Sequence, residues 1–253
     1  MTSFTAWLPI ILCVLPLGLY VLALYLKKIR PKNRPAAFGY GLLVLATAFL
    51  VVSLLWWFFF VKAKPDDNWK EIASKTDTAI LMGFGYVLDE DGVMFPGKAN
   101  KALYKKAVVR PVGLDTLHLI MQEGVMVAAL KDKRKYPFKR NLIRMHPHDD
   151  STYINTLIAA NYALLKMESL GVKTAVIYAH DLQLARAVYD LKRIAASDPR
   201  WKDMVFITPY IRPTPVTPDS EQWYTRSTLI FFLREIFLAR PYETIYPLRR
   251  IAI

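Results

Sequence analysis

Polar and apolar positions divide the chain into two zones. Residues 7–26 form an uncharged apolar run of twenty and residues 36–61 another of twenty-six, each long enough to cross a hydrocarbon layer of ~30 Å as a helix. From residue 62 onward, short apolar runs alternate with amphipathic stretches. Residues 78–86, Thr-Ala-Ile-Leu-Met-Gly-Phe-Gly-Tyr, read as a buried strand opening into a tight turn. The turn chemistry of Asp89-Glu90-Asp91-Gly92 then predicts that 93–95 returns as one arm of a hairpin. Leu114, Leu117, Ile120 and Met121 recur at helical spacing and Gly124 follows them, which predicts a helix over 113–124 and a strand over 125–130. A solvated basic loop over 131–140 leads to a short strand at 142–145 and, after a cap at Asp150 or Ser151, to a helix over 152–170. A strand at 174–179, a helix over 182–194, a strand at 205–208 and a proline-rich loop over 209–218 complete the alternation. Residues 228–240 are apolar almost all round, as in a closing helix or one resting on a membrane surface. This order predicts an α/β fold, a Rossmann-like parallel sheet with helices on both faces, preceded by a two-helix transmembrane hairpin.

Charge fixes the direction expected of that hairpin. Residues 27–35 carry five basic side chains and no acidic one, and such a connection stays in the cytoplasm. The N-terminus and everything after residue 61 are then expected on the other side of the membrane. A linker over 62–76 joins the hairpin to an extracytoplasmic domain over 77–253. The aromatic cluster 56–60 suits the outer interface. A cleaved signal peptide does not fit, because residues 1–6 carry no charge and the apolar run is too long. The single cysteine, Cys13, lies in the first run, so the outer domain has no thiol to pair. Residues 62–253 hold 29 basic against 21 acidic side chains. That excess suits anionic lipid head groups or a phosphate-bearing ligand, and equally a solvated basic surface. An exported domain has no nucleic acid to meet.

The candidate chemistry gathers at the ends of the predicted strands. Gly83 and Gly85 mark either the rim of a ligand site, where free N–H groups meet an anion, or a purely structural turn; two glycines alone are not a dinucleotide fingerprint. His146-Pro147-His148-Asp149-Asp150 is the one local run of metal-ligand types, with His180 and Asp181 arriving from the next strand. Its spacing matches no established metal motif, and a polar loop capping a helix uses the same residues. If the domain is catalytic, His148, Asp149 or His180 is the group that moves the proton or binds metal. Arg186, with Asn155 and the turn amides, suits a phosphate or diphosphate, because a guanidinium fork binds two oxygens at once; bonding to helix-end carbonyls is the other reading. His118 reads as a packed or surface histidine. Lys101, Lys105, Lys106 and Arg110 read as a solvated or lipid-facing stripe.

Three segments carry a family resemblance: Ala79-Ile80-Leu81-Met82-Gly83-Phe84-Gly85, Ser151-Thr152-Tyr153-Ile154-Asn155-Thr156 and Ala185-Arg186-Ala187. They resemble the opening strand and glycine turn, the helix start and the end of the arginine motif in the YdcF, SanA and ElyC family, a domain of unknown function of bacterial envelope proteins. The resemblance spans about residues 77–240, and ElyC shares the plan of two amino-terminal spans before an outer domain. Residue by residue it implies ligand-binding roles for Gly83, Gly85, Thr152, Asn155 and Arg186. Ile154 stands where the family carries a glutamate and Gln183 where it carries a histidine. The resemblance implies a role in peptidoglycan or polyprenyl-phosphate carrier metabolism, with hydrolysis or transfer at phosphate as the chemistry. The two replacements imply the alternative, a non-catalytic pseudoenzyme serving as scaffold or subunit of a membrane complex. No cofactor is named by any motif.

Overall fold

The computed structural model describes residues 64–109, 115–145, 156–210 and 214–235. The chain falls into two compact units, one of residues 1–61 with 233–247 and one of residues 62–232 with 248–253, and the second carries the α/β fold. The runs 7–26 and 36–61 and the basic connection between them lie outside the described residues. Among the described residues no helix is long and apolar enough to cross a membrane.

Helix α1 (Trp69–Lys75) precedes strand β1 (Thr78–Leu81); a small hairpin of β2 (Val87–Leu88) and β3 (Met94–Phe95) leads to α2 (Lys98–Val108). Next along the chain come β4 (Thr116–Met121), α3 (Glu123–Leu130), β5 (Lys139–Arg144), α4 (Thr156–Leu170), β6 (Thr174–Tyr178), α5 (Asp181–Ser197), β7 (Val205–Ile207) and α6 (Thr228–Arg234). Five strands form one parallel sheet in the order β5-β4-β1-β6-β7, while β2 and β3 pair antiparallel apart from it. The apolar run that ends in two glycines is thus the central strand of the fold. All four side chains of β1 are buried, as a strand covered on both faces requires.

Parallel strands need crossovers, and these are right-handed in nearly every known case. Going from β1 outward to β4 and β5 therefore places α2 and α3 on one face; returning to β6 and β7 places α4 and α5 on the other. The packing agrees: α2 lies against α3, and α4 against α5. One core joins Ala79, Leu81, Leu119, Met121 and Val176 of the sheet to Tyr104, Ala107, Val125 and Met126 of α2 and α3. Each large side chain so buried contributes ~1.5–3 kcal/mol.

Three expectations are corrected. The stretch 62–76, read as a linker, carries α1, whose Trp69, Ile72 and Ala73 pack on that core. It is moored there by Asp66, whose N–H donates to the Thr208 carbonyl at 3.0 Å and whose Oδ2 accepts the Thr208 N–H at 2.7 Å. The predicted helix at 113–124 and strand at 125–130 are exchanged: the described part of the first is strand β4 and the second is helix α3. Thr116-Leu117-His118-Leu119 alternates as a strand does, but Ile120 and Met121 are both buried and break that period, so that with Leu117 they mimic a helical spacing. Gly124, read as a helix stop, lies inside α3, where an added Cβ would stand 2.6 Å from Nδ2 of Asn100.

Candidate functional site

Strand order reverses direction at β1 and β6, and the crevice beyond their carboxyl ends is the topological switch point at which open α/β sheets take ligands. One lip is the turn Met82–Tyr86 after β1. The other is Ala179 and His180, leading into α5. Gly83 and Gly85 and His180 are therefore brought to the same edge, and the ring of Phe84, between the glycines, stacks on the His180 ring with centroids 3.8 Å apart and planes 19° apart. Phe84 is 2 % exposed and His180 1 %, so the two lips meet through a buried aromatic pair. Phe231 closes on Phe84 from α6 at 5.0 Å.

The turn amides expected to be free for an anion are engaged inside the protein. The Gly83 N–H donates to Oε1 of Gln122 at 2.5 Å, the Phe84 N–H to Oδ1 of Asn100 at 2.8 Å, and the Tyr86 N–H to Oγ of Ser220 at 3.2 Å. Asn100 also donates through Nδ2 to the Gly85 carbonyl at 2.6 Å. Its side chain thereby takes the place of a second strand along the turn. Gly85 sits at φ +66°, where a side chain is strained, and an added Cβ would stand 2.5 Å from Oγ1 of Thr225 and 2.6 Å from Oγ of Ser220. Of the two readings offered for this turn, the structural one accounts for Gly85.

His180 is the N-cap of α5: its Nδ1 accepts the Leu182 N–H at 3.3 Å and lies 3.3 Å from Oδ1 of Asp181. Burial lowers its pKa to about 4, against the opposing pull of the Asp181 carboxylate and of the Thr214 and Pro215 backbone, with Lys106 adding to the depression. The ring is therefore neutral at pH 7. Nε2, which carries the proton, has no partner in hydrogen-bonding geometry among the described residues, although the Thr214–Pro215 backbone is near enough to favour that proton. Nδ1 is thus given to the helix cap, and one face of the ring is covered by Phe84. Among the described residues no three His, Cys, Asp or Glu side chains gather to hold a metal.

Around this centre, Oδ1 of Asp181 accepts the Thr214 N–H at 2.9 Å, and Nζ of Lys106 donates to Oγ1 of Thr214 at 2.8 Å. Burial lowers the Lys106 pKa, partly offset by Asp181. At the neighbouring strand ends Arg144 makes a two-pronged pair with Glu123, at 2.7 and 3.2 Å. Arg186 lies six residues along α5 from the cap, roughly 9 Å at 1.5 Å per residue. It is 6 % exposed and shares a buried stripe with Gln183 and Asp190. Gln183 faces α4, its Nε2 donating to Oγ1 of Thr156 at 3.2 Å. Gln183 is thus an amide that fastens the starts of two helices. His118 bonds through Nδ1 with Asn141 across β4 and β5 at 2.9 Å.

His148, Asp149, Thr152 and Asn155, with the rest of 146–155, lie outside the described residues, as do Arg110 and Gly113. The residues that organise the turn and went unread in the sequence are Asn100, Gln122, Ser220 and Thr225. Neither amide stands out along the chain, because Asn100 lies between Ala99 and Lys101 and Gln122 between Met121 and Glu123. No protein-family model, curated protein or solved structure matches the chain.

Proposed function

We propose that the chain is an envelope-biogenesis protein of a bacterial inner membrane. In this reading a hairpin of spans 7–26 and 36–61 anchors it, and its α/β domain, on the outer side, binds a phosphate-bearing ligand such as a polyprenyl-phosphate carrier. The observation that carries the reading is the reversal of strand order between β1 and β6, which sets Gly83–Gly85 and the start of α5 on the two lips of one crevice. The basic excess of residues 62–253 and the placement of Lys106 and Arg186 on α2 and α5 support an anionic ligand. Binding without turnover is the form best supported. His180 is neutral and buried, and Gln183 is fixed between helices. Peptidoglycan or carrier-lipid metabolism is the setting that the family resemblance suggests.

Thermal melting of the full chain in detergent tests the ligand. A short-chain polyprenyl phosphate at a hundredfold excess over its dissociation constant should raise the melting temperature by about 5 °C, and inorganic diphosphate should do so in part. A second reading, a scaffold within a membrane complex, is favoured by the internal use of the Gly83, Phe84 and Tyr86 amides; no rise with either probe would leave it standing alone. Orientation is tested with Asp91→Cys in a Cys13→Ser background. Asp91 is exposed at the hairpin tip, so a membrane-impermeant maleimide should label it in intact spheroplasts, and labelling only after lysis would place the domain in the cytoplasm.

A further inference from the structure

The segment 214–226 lies across the glycine turn and is seated almost wholly by hydroxyl groups. Thr214, Thr217, Ser220 and Thr225 are 7, 3, 0 and 1 % exposed, while Pro215, Pro218, Asp219 and Glu221 between them face solvent. Oγ1 of Thr217 accepts the Ala99 N–H at 3.3 Å, Oγ of Ser220 accepts the Tyr86 N–H at 3.2 Å, and the Glu221 N–H donates to the Tyr86 carbonyl at 2.9 Å. Thr214 adds its bonds to Asp181 and Lys106. Two glycines are shaped to this segment. A Cβ at Gly97 would stand 2.6 Å from Oγ1 and Cγ2 of Thr217, and one at Gly85 would meet Thr225 and Ser220 as closely.

A segment locked into a fold is ordinarily held by apolar burial, which water cannot replace. Here the contacts with the glycine turn and the start of α2 are chiefly hydrogen bonds that water makes almost as well, each with a net value of ~0.5–1.5 kcal/mol, beside a ring contact of Tyr224 with Phe231 at 6.4 Å. Within the segment the bonds form their own small frame: Thr225 Oγ1 donates to Ser220 Oγ at 2.8 Å, and Nε of Arg226 to the Ser220 carbonyl at 2.5 Å. It is therefore built to keep its shape while leaving its seat at low cost, the pattern of segments that open locally.

We propose that residues 214–226 are a strap that covers the glycine turn in the state described and lifts as a unit to admit ligand to the crevice. The ligand half of this statement rests on the phosphate-bearing reading of the crevice; the motion does not.

The test uses the full chain in detergent with Cys13→Ser. In the pair Gly97→Cys with Thr217→Cys, the added Cβ lies 3.1 Å from the Thr217 Cβ, and a shift of a few tenths of an ångström reaches the spacing of a disulfide, ~3.5–4.5 Å. Hydrogen exchange of peptides covering Tyr86 and Ala99 is compared with that of β1. In the Cys13→Ser parent, which keeps the Thr217 bond to the Ala99 N–H, the two peptides should exchange together, roughly a hundredfold faster than β1. Oxidation should slow both about tenfold or more, and Gly97→Ala, which crowds Thr217, should speed both with β1 unchanged. Exchange no faster than β1, or indifferent to the disulfide, overturns the strap. Short-chain polyprenyl phosphate should then raise the melting temperature of the reduced protein and not of the oxidised one. Equal rises in both overturn its role as a lid. No rise in either removes the ligand reading, while the exchange data still decide the motion.

Discussion

Asn100→Ala should melt about 10 °C below the parent chain, corresponding to roughly 3–5 kcal/mol in a domain of this size. Asn100 is fully buried and bonds both the Phe84 N–H and the Gly85 carbonyl. Truncation strands a buried donor and a buried acceptor at about 1–3 kcal/mol each and leaves a void beside Gly124. Asn100→Asp separates the two causes. It keeps the volume and the acceptor for Phe84 while setting a carboxylate oxygen against the Gly85 carbonyl, so it should lose as much as the alanine variant or more. If the aspartate variant melts with the parent, the void is the whole effect. If the alanine variant melts within about 2 °C of the parent, the turn is not held by this side chain.

His180 should make the protein less stable as pH falls from 6.5 toward 4. Its pKa in the folded chain is lowered to about 4 from 6.5, chiefly by burial. Between those values the unfolded chain binds the proton and the folded chain does not, so stability rises with pH in that window. The contribution is fully present above 6.5 and is lost as pH drops through 4. At ~1.4 kcal/mol per unit it amounts to about 3 kcal/mol. Denaturant unfolding at pH 7.5 and 4.5 measures it against His180→Asn, which keeps an acceptor for the Leu182 N–H and removes the ring and its titration. At pH 7.5 the variant should be weaker by ~2 kcal/mol, from the lost stack on Phe84. Toward pH 4.5 the difference should shrink to near zero, because only the parent is penalised. Parallel pH profiles for the two proteins would show that the ring is already charged, or already hydrated, in the folded state. Asp181 and Lys106, the charged groups around the ring, are kept in the variant.

Much of the fold was legible where composition and position act locally. An apolar run ending in two glycines marked β1, the strand whose every side chain is buried. The run 174–179 marked β6, and the amphipathic stretch 182–194 marked α5, which extends to Ser197. The exchange of strand and helix over 113–130 came from a different cause. β4 alternates only over Thr116–Leu119 before the buried pair Ile120 and Met121, and α3 is apolar over most of its surface, so the short periods mislead and sheet pairing with β1 and β5 decides. The helix α1 escaped notice because seven residues with one apolar face resemble a polar connection until Asp66 anchors them to the end of β7.

The amino-acid sequence alone determined the α/β class, the first strand of the sheet, and the arrival of Gly83, Gly85 and His180 at one sheet edge, because these follow from burial and from strands running parallel. Only the tertiary structure decided what those groups do there. The partners of the turn amides come from Asn100, Gln122 and Ser220, as many as 134 positions away in the chain for Tyr86 and Ser220, and the neutrality of His180 is set by burial against Phe84, with the backbone of Thr214 and Pro215 packed around the ring. Hydrogen bonding and desolvation act over a few ångströms of space, with no regard for distance along the chain, so the difference between an open anion cradle and a covered, self-satisfied turn is written in packing.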